Sequence, residues 1–328
     1  MVATHSNPSK FRDYLALTKP EVNLLVLMTT AAGYYLASRG PLHTTWLINT
    51  VLGTLLVASG TATLNQWMER VWDGQMRRTA SRPLPSGRVS ALEALLFGII
   101  LSVAGGLYLT IAVNRLAALL AIATLLSYLL IYTPLKPKTP LCTALGAVPG
   151  AMPALIGWAG ASSSIDSHAW FLFAFLFLWQ FPHFLAIALL YREDYARAGY
   201  RMLPDFDADG RFTRAEILGF SLVLVASTMV VGFRAGAIAL FTVCAAGAFL
   251  LYPVSRLAQT TSRAAARRVV HASVIYLPMV LAIATFCRAQ DSTARPVYVA
   301  GGHPGTVEIS SERNVRSAQL LSAGDFTH

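Results

Sequence analysis

Residues 46–73 have the sequence WLINTVLGTLLVASGTATLNQWMERVWD, an apolar run that ends in a row of polar side chains. The apolar part is long enough to cross a bilayer, which takes about 20 helical residues. Asn65, Glu69 and Asp73 follow at intervals of four, so on a helix they form one polar stripe. The segment therefore predicts a membrane-spanning helix whose end carries acid and amide groups on a single face.

The composition of the whole chain also indicates a membrane protein. Of 328 residues, 55% are hydrophobic and 13% are charged, whereas a soluble domain carries about 25% charged residues. The net charge of +10 would suit a nucleic-acid partner, but the basic residues lie in short clusters between apolar runs, as membrane-flanking residues do. We therefore expect the lipid bilayer as a partner, and no nucleic acid.

Further apolar segments have the length of a spanning helix. In all, nine lie near 22–38, 46–67, 91–112, 116–132, 140–160, 169–190, 214–233, 236–255 and 270–288. The predicted fold class is an all-α, polytopic membrane protein of about nine transmembrane helices. Pro149 and Pro153 interrupt the fifth segment, and such breaks persist only where neighbouring helices or a cavity satisfy the freed backbone groups.

The distribution of positive charge predicts the orientation. If the N-terminus is cytoplasmic, 19 of the 26 Lys and Arg residues fall on the inner side, as the positive-inside rule requires. We expect residues 1–20 to be a cytoplasmic segment, 21–288 to be the intramembrane domain, and 289–328 to be a polar, disordered tail outside. The expected location is a bacterial-type inner membrane.

The polar stripe favours a metal site. Glu69 and Asp73 are like charges one helical turn apart, which is unfavourable unless a cation binds between them. Together with Asn65 they offer only oxygen ligands, which suit Mg²⁺. The alternative is a helix end that emerges into water with its acids paired to Arg70 or Arg77.

Basic residues lie close to the stripe in the sequence. Arg78 and Arg82 follow it directly, and Lys136 lies in another predicted inner loop. Cations beside a metal site suggest a polyanion that contacts both, and a diphosphate fits that description. A positive-inside loop would explain the same residues without any ligand, so that alternative stays open.

The later part of the sixth segment contains Gln180, Pro182 and His183, and Asp194 follows eleven residues after the histidine. That interval is about three turns of one helix, which would put His183 and Asp194 on the same face. The alternative for His183 is a hydrogen bond to a neighbouring helix.

A calcium-loop pattern occurs between Asp205 and Glu216. Pro204 precedes it and would end an entering helix, while Arg211 and Arg214 dilute its charge. A solvated acidic loop is therefore the favoured interpretation.

In combination, these motifs resemble the UbiA superfamily of intramembrane prenyltransferases, over roughly residues 15–285. The matching stretches are Leu17–Pro20, Asn65–Asp73, Arg78–Gly87, Tyr132–Lys136, Trp179–Phe184 and Asp194–Pro204. The resemblance is strongest to the branch of this superfamily that prenylates heme. Tyr191 and Tyr195 stand where other branches often carry acids, and Glu21 stands where many members have Arg.

The resemblance implies a central cavity within the helices and a set of site residues. The implied ligands of Mg²⁺, which are also the implied catalytic residues, are Asn65, Glu69, Asp73 and Asp194. The implied diphosphate contacts are Arg78, Arg82, Lys136 and Arg201. The implied acceptor and cavity residues are His183, Tyr132, Tyr191 and Trp67.

The resemblance also implies the substrates. The donor would be farnesyl diphosphate, and the acceptor would be a vinyl group of protoheme IX, so the product would be heme O for terminal oxidases. A downstream heme A synthase or an oxidase assembly factor would be a partner. Two alternatives stay open: an aromatic or quinone-precursor acceptor, and an ion-coupled transporter, although transporter sites usually lie at the midplane.

Overall fold

The computed structural model describes residues 9–260 and 262–294, and every regular element within them is helical. The helices are α1 (Lys10–Leu17), α2 (Pro20–Ala37), α3 (Thr44–Gln75), α4 (Ala91–Ala112), α5 (Arg115–Ser127), α6 (Thr133–Leu135), α7 (Cys142–Ser162), α8 (Ser167–Leu190), α9 (Arg192–Arg197), α10 (Arg211–Ala235), α11 (Ala237–Gln259) and α12 (Arg263–Ala294). A π-helical stretch, Tyr128–Tyr132, joins α5 to α6, and a 3₁₀ turn, Leu203–Asp205, precedes α10. The chain divides into two units after Thr285, and the described residues of the second unit belong to the end of α12.

The prediction of an all-α, multi-pass membrane protein is confirmed. Among the described residues, eight helical segments are long and apolar enough to cross a membrane: α3, α4, the continuous segment Arg115–Leu135, α7, α8, α10, α11 and α12. The first predicted segment, 22–38, forms α2 over 18 residues, about 27 Å at 1.5 Å per residue. Glu21 and Asn23 in its first turn lower the hydropathy of this short helix, which is not among the eight, so the predicted number of nine is approximate.

The proline-containing segment forms one helix, α7, which packs against α2, α3, α5 and α8. Pro149 and Pro153 lie inside it, and both are cavity-lining residues. The Gln180 side chain of α8 donates a hydrogen bond from Nε2 to the Ala147 carbonyl oxygen at 2.8 Å. The neighbouring helix α8 therefore contributes a polar contact just before Pro149, and the cavity borders both prolines.

Glycines allow α2 and α7 to approach each other closely. A Cβ on Gly157 would overlap the Thr30 carbonyl oxygen, and one on Gly33 would overlap the Ala154 carbonyl oxygen. Small residues at such contacts let helix backbones pack tightly where lipid offers no hydrophobic driving force. This packing matters for the site because α2 and α7 both contribute to the cavity wall.

We expect Gly157→Ala to lower the free energy of unfolding by about 1–3 kcal/mol, because the added methyl group forces the α2 and α7 backbones apart. Gly219→Ala in α10 is the matched control, since a Cβ there meets no atom within 4 Å. The control should be neutral or stabilising by up to about 1 kcal/mol, because alanine favours helix. Thermal unfolding in detergent micelles measures both, and equal shifts for the two variants would contradict the close contact.

The predicted tail begins at residue 289, whereas α12 continues to Ala294. The rest of that tail, residues 295–328, lies outside the described residues.

The segment with the calcium-loop pattern adopts a different arrangement. Asp207 Oδ2 accepts a hydrogen bond from the Thr213 N–H at 2.7 Å, and Asp205 Oδ2 accepts one from the Met202 N–H at 3.2 Å. These carboxylates bond to the local backbone at the start of α10 and in the preceding turn. In the part of the chain that the structure describes, no group of three or more His, Cys, Asp or Glu side chains could hold a metal ion.

Candidate active site

A cavity of about 430 Å³ lies among α2, α3, the segment from α5 to α6, α7 and α8. Its charged lining residues are Lys19, Glu69, Asp73, Arg78, Arg82 and Lys136. Much of the remaining wall is apolar or aromatic, with contributions such as Val26, Ile156, Leu176 and Phe184. The cavity thus combines a charged region with apolar surface, as a site for an amphipathic ligand requires.

The predicted polar stripe forms on α3 and faces this cavity. Asn65, Glu69 and Asp73 all line it, and their residues are 1%, 5% and 1% exposed. Asn65 Oδ1 accepts a hydrogen bond from Lys19 Nζ at 3.0 Å, and Asn65 Nδ2 donates to Thr133 Oγ1 at 3.1 Å. The stripe is therefore buried among protein groups, and the alternative of a helix end emerging into water does not describe it.

Each carboxylate of the stripe is bound by a cation from another part of the cavity wall. Lys136 Nζ donates to Glu69 Oε1, and Arg82 Nη1 donates to Asp73 Oδ2 at 2.7 Å. Each ion pair engages one oxygen of its carboxylate. Arg70, which the alternative paired with these acids, instead donates to the Trp67 carbonyl oxygen and lies over the Trp67 ring.

The π-helical stretch between α5 and α6 presents aromatic groups to the same region. Tyr128 and Tyr132 both line the cavity, with ring centroids 4.9 Å apart. Lys136 Nζ lies 4.5 Å from the Tyr132 ring centroid and 5.9 Å from that of Tyr200. Such π-helical insertions occur frequently at functional sites.

Arg78 stands at the exposed edge of the cavity between two tyrosines. Its Nη2 donates to the Tyr195 hydroxyl at 2.8 Å, and its guanidinium carbon lies 4.7 Å from the Tyr191 ring centroid. These contacts hold a planar cation whose other N–H groups can still bind an anion.

The charges of the cavity wall leave an excess of cations. Four cationic side chains and two carboxylates line it. Arg82 and Lys136 pair with the two carboxylates, burial lowers the pKa of Lys19 to about 7, and Arg78 lies at the exposed edge. The net charge of the wall is therefore positive and favours an anion with several oxygens, such as a diphosphate.

His183 lies on the part of the wall formed by α8. The residue is 9% exposed, and its Nδ1 is 2.8 Å from Ser273 Oγ of α12. Trp179 stacks on the His183 ring with centroids 4.9 Å apart, and it donates from Nε1 to the Ser273 carbonyl oxygen at 2.7 Å. The predicted alternative, a hydrogen bond from His183 to a neighbouring helix, is therefore present at Nδ1.

Asp194 and Tyr191 do not line the large cavity. They line a smaller one of about 180 Å³, together with Arg77, Leu190, Glu193, Arg263 and Arg267. The Asp194 carboxylate accepts from Arg197 Nη1 at 2.9 Å and from the Arg77 N–H at 3.4 Å. Because α8 ends at Leu190 and α9 begins at Arg192, His183 and Asp194 lie on different helices, and the predicted shared face is wrong.

Trp67 and Arg201 also lie outside the cavity lining. Trp67 is two residues from Asn65, about 200° around the helix, and it packs with the buried cluster that contains Leu17 and Leu84. The Arg201 backbone N–H donates to the Lys136 carbonyl oxygen at 2.9 Å, whereas the residue is exposed. The structure thus brings together eight of the twelve predicted site residues: Asn65, Glu69, Asp73, Arg78, Arg82, Tyr132, Lys136 and His183.

Lys19, Tyr128 and Tyr200 are polar residues at the cavity that the sequence analysis did not assign to the site. Lys19 has a left-handed backbone, with φ at 50°, and this turn before α2 brings its amine to Asn65. Tyr128 precedes Tyr132 by four residues, a spacing that could have identified it. Tyr200 is buried in a loop, where no periodicity indicates orientation; burial above all, with the nearby Glu69, raises the pKa of its hydroxyl, which therefore remains a hydrogen-bond donor.

The fold and this cavity define a polytopic membrane protein with a buried, cation-rich site beside apolar surface. The profile of the UbiA prenyltransferase family matches residues 26–282, and the chain belongs to that family of prenyltransferases.

Curated relatives extend this assignment over most of the chain. Protoheme IX farnesyltransferase of Solibacter usitatus is 45% identical, over 82% of this chain and 96% of the relative. The protein of the same name from Koribacter versatilis is 41% identical, over 84% of this chain and 93% of the relative.

Solved structures share the fold. A structure of digeranylgeranylglyceryl phosphate synthase superposes with a TM-score of 0.70 at 18% identity, over 86% of this chain and 99% of the other. A UbiA homolog from Archaeoglobus fulgidus, bound to GPP and Mg²⁺, gives a TM-score of 0.59 at 15% identity, over 83% and 99% of the two chains.

Proposed function

We propose that this protein transfers the farnesyl group of farnesyl diphosphate to a vinyl group of protoheme IX and so forms heme O. The names of the relatives from Solibacter usitatus and Koribacter versatilis support the two substrates. The observation that carries the proposal is that one buried cavity contains paired carboxylates and cations together with aromatic and apolar surface. The charged region suits a diphosphate, and the apolar surface suits a prenyl chain and a porphyrin.

The proposed reaction balances with water as the third reactant. The bond between C1 of the farnesyl group and the diphosphate oxygen breaks, and its electron pair leaves with the diphosphate. C1 then bonds to the terminal carbon of the vinyl group, which leaves a cation on the carbon next to the porphyrin ring. Water adds to that carbon and loses a proton, so the products are heme O and diphosphate.

The stripe residues fit Mg²⁺. Asn65, Glu69 and Asp73 present oxygen donors on one buried face, and each carboxylate has one oxygen outside its ion pair. Mg²⁺ usually takes one or two carboxylates and completes its shell with phosphate oxygens and water. When bound, it would supply charge neutralisation for the leaving diphosphate. The A. fulgidus homolog with bound GPP and Mg²⁺ supports this assignment by analogy.

The cations of the cavity have a proposed role at the same step. In the structure, the stripe is contacted by Arg82, Lys136 and Lys19, and the Tyr195 hydroxyl is contacted by Arg78. A bound diphosphate would offer these side chains further oxygens, and such preorganised charge stabilises the leaving group where water is excluded. For Arg201, Trp67 and Tyr191, which do not line the cavity, contact with substrate stays a prediction of the resemblance alone.

The aromatic wall has a complementary role. Tyr128 and Tyr132 would face the positive charge that develops on the prenyl group, which aromatic faces stabilise. The same rings exclude water from that charge until the acceptor has reacted.

We further propose a bacterial inner-membrane location with a cytoplasmic N-terminus, supported by the distribution of Lys and Arg. An enzyme that uses heme O, such as a heme A synthase, or an oxidase assembly factor would then receive the product.

An acceptor assay tests the proposal. Membranes containing the protein are incubated with labelled farnesyl diphosphate, Mg²⁺ and either protoheme IX or a phenolic acid. We expect label in a heme product of farnesyl-plus-water mass, and none on the phenol. Label only on the phenol would instead assign an aromatic acceptor, and ion-dependent uptake without any transfer would indicate a transporter.

We keep the prediction that Asp194 takes part in metal binding, and Asp194→Asn tests it. The amide oxygen can still accept from Arg197 and the Arg77 N–H, so the local structure should persist. Because the lost charge weakens a metal ligand, we expect the Mg²⁺ concentration at half-maximal rate to rise about tenfold. Asp209→Asn, in an exposed loop, is the matched control. An unchanged Mg²⁺ dependence for Asp194→Asn would restrict Asp194 to holding the loop that carries Arg78.

A further inference from the structure

The hydrogen bonds around Ser273 determine where the proton of His183 lies. Ser273 Oγ is 2.8 Å from the Val270 carbonyl oxygen and 2.8 Å from His183 Nδ1. The Ser273 residue is fully buried, so water does not supply further partners. The serine hydroxyl has a single proton, so it can donate to only one of these two partners.

Only one assignment makes both contacts hydrogen bonds. The Val270 carbonyl oxygen can only accept, so the serine hydroxyl must donate to it. His183 Nδ1 must then carry a proton and donate to Ser273 Oγ. In the opposite arrangement two acceptor oxygens would lie 2.8 Å apart with no proton between them.

The remaining ring nitrogen of His183 is therefore a lone-pair donor. A neutral imidazole protonated at Nδ1 has an unprotonated Nε2. Ser273 occupies the Nδ1 edge, Trp179 covers one ring face, and His183 lines the cavity. The Nε2 edge is the polar part of the ring that is left for a ligand.

We infer that Ser273 is a positioning residue, which fixes His183 so that Nε2 binds the iron of the porphyrin acceptor. This inference rests on the proposed function for the identity of the ligand. A propionate of the porphyrin is an acceptor and would be repelled by a lone pair, whereas iron has an open axial position that imidazole fills. A hydrogen bond at the second nitrogen, as from Nδ1 here, is the usual support of a metal-binding histidine.

Nitrogen NMR of the ligand-free protein tests the tautomer without any substrate. In protein labelled with ¹⁵N-histidine, the His183 signals are those lost in His183→Ala. We expect a protonated Nδ1 and an unprotonated Nε2, a preference that Ser273→Ala should abolish. Ser221→Ala is the matched control, because Ser221 is also fully buried and donates to a helix carbonyl oxygen, that of Ile217 at 2.7 Å. A proton on Nε2 in the unchanged protein would overturn the inference.

Binding of two porphyrins tests the ligand. Purified protein is titrated with ferric protoheme and with metal-free protoporphyrin IX, and absorption spectra are recorded. We expect His183→Ala and Ser273→Ala to weaken protoheme binding at least about tenfold and to change its spectrum, with protoporphyrin binding unchanged. Added imidazole should restore the protoheme spectrum of His183→Gly.

These experiments distinguish a failure of the iron-ligation inference from a failure of the proposed function. If His183→Ala weakened the binding of both porphyrins equally, the imidazole ring would contact the porphyrin macrocycle and not the iron. That result would overturn iron ligation alone. If the unchanged protein binds neither porphyrin, the ligand assignment and the proposed function fail together.

Discussion

Asp73→Ala is expected to lower kcat/KM for farnesyl diphosphate by about 10³, the loss found when one preorganised electrostatic group is removed from an active site. Asp73 is 1% exposed, lines the cavity and has one carboxylate oxygen outside its bond to Arg82. In the proposed mechanism that oxygen helps to hold Mg²⁺, so its removal weakens the stabilisation of the leaving diphosphate. Initial rates in proteoliposomes over a range of Mg²⁺ concentrations measure the effect.

The control for Asp73→Ala must separate catalysis from folding. Asp209→Ala removes a carboxylate whose side chain is 74% exposed, and we expect it to keep full activity. Both variants should reach the membrane in normal amounts. If Asp73→Ala retained wild-type kcat/KM at every Mg²⁺ concentration, the proposed metal site on α3 would be excluded.

The fold was predictable because membrane-spanning helices can be recognised in a sequence by their length and apolar composition. The segment predicted at 91–112 has the same bounds as α4, and those predicted at 169–190 and 236–255 differ from the bounds of α8 and α11 by at most four residues. Polar helix ends were harder to place. The apolar run of the second segment ends near residue 67, but α3 continues to Gln75 because the polar stripe predicted on the same helix is buried.

The site was predictable where helical periodicity applied. The interval of four between Asn65, Glu69 and Asp73 put them on one face, and they line one cavity. The same periodicity would have turned Trp67 away, although the resemblance assigned it to the site.

Loops and helix breaks set the limit of the sequence-based prediction. The sequence predicted the end of the sixth segment at residue 190, but it did not show that a separate helix carries Asp194 or that Tyr200 is buried beside the exposed Arg201. The bond between His183 and Ser273 joins residues 90 positions apart and depends on how α8 packs against α12. Long-range contacts of this kind have no local signal.

Substitutions in the ion pair of Lys136 and Glu69 should change the stability and the activity of the protein, and the two changes can be separated. Lys136→Met leaves the Glu69 carboxylate buried without its cation, and breaking a buried pair in this way costs about 3–5 kcal/mol. Adding Glu69→Gln to Lys136→Met removes the unpaired, buried negative charge, so the double variant should regain most of the lost stability. Turnover should stay about 10²–10³ below wild type in both, because neither retains the charges proposed to act on the diphosphate.

Thermal unfolding in micelles and initial rates, measured on the same preparations, complete the cycle. Lys138→Met is the matched control, since Lys138 is exposed two residues further along and should change neither quantity. Recovery of both stability and turnover in the double variant would assign the pair a structural role only. Recovery of stability alone requires that Lys136 or Glu69 acts on the substrate, because a purely structural pair has no further way to slow the reaction once the fold is restored.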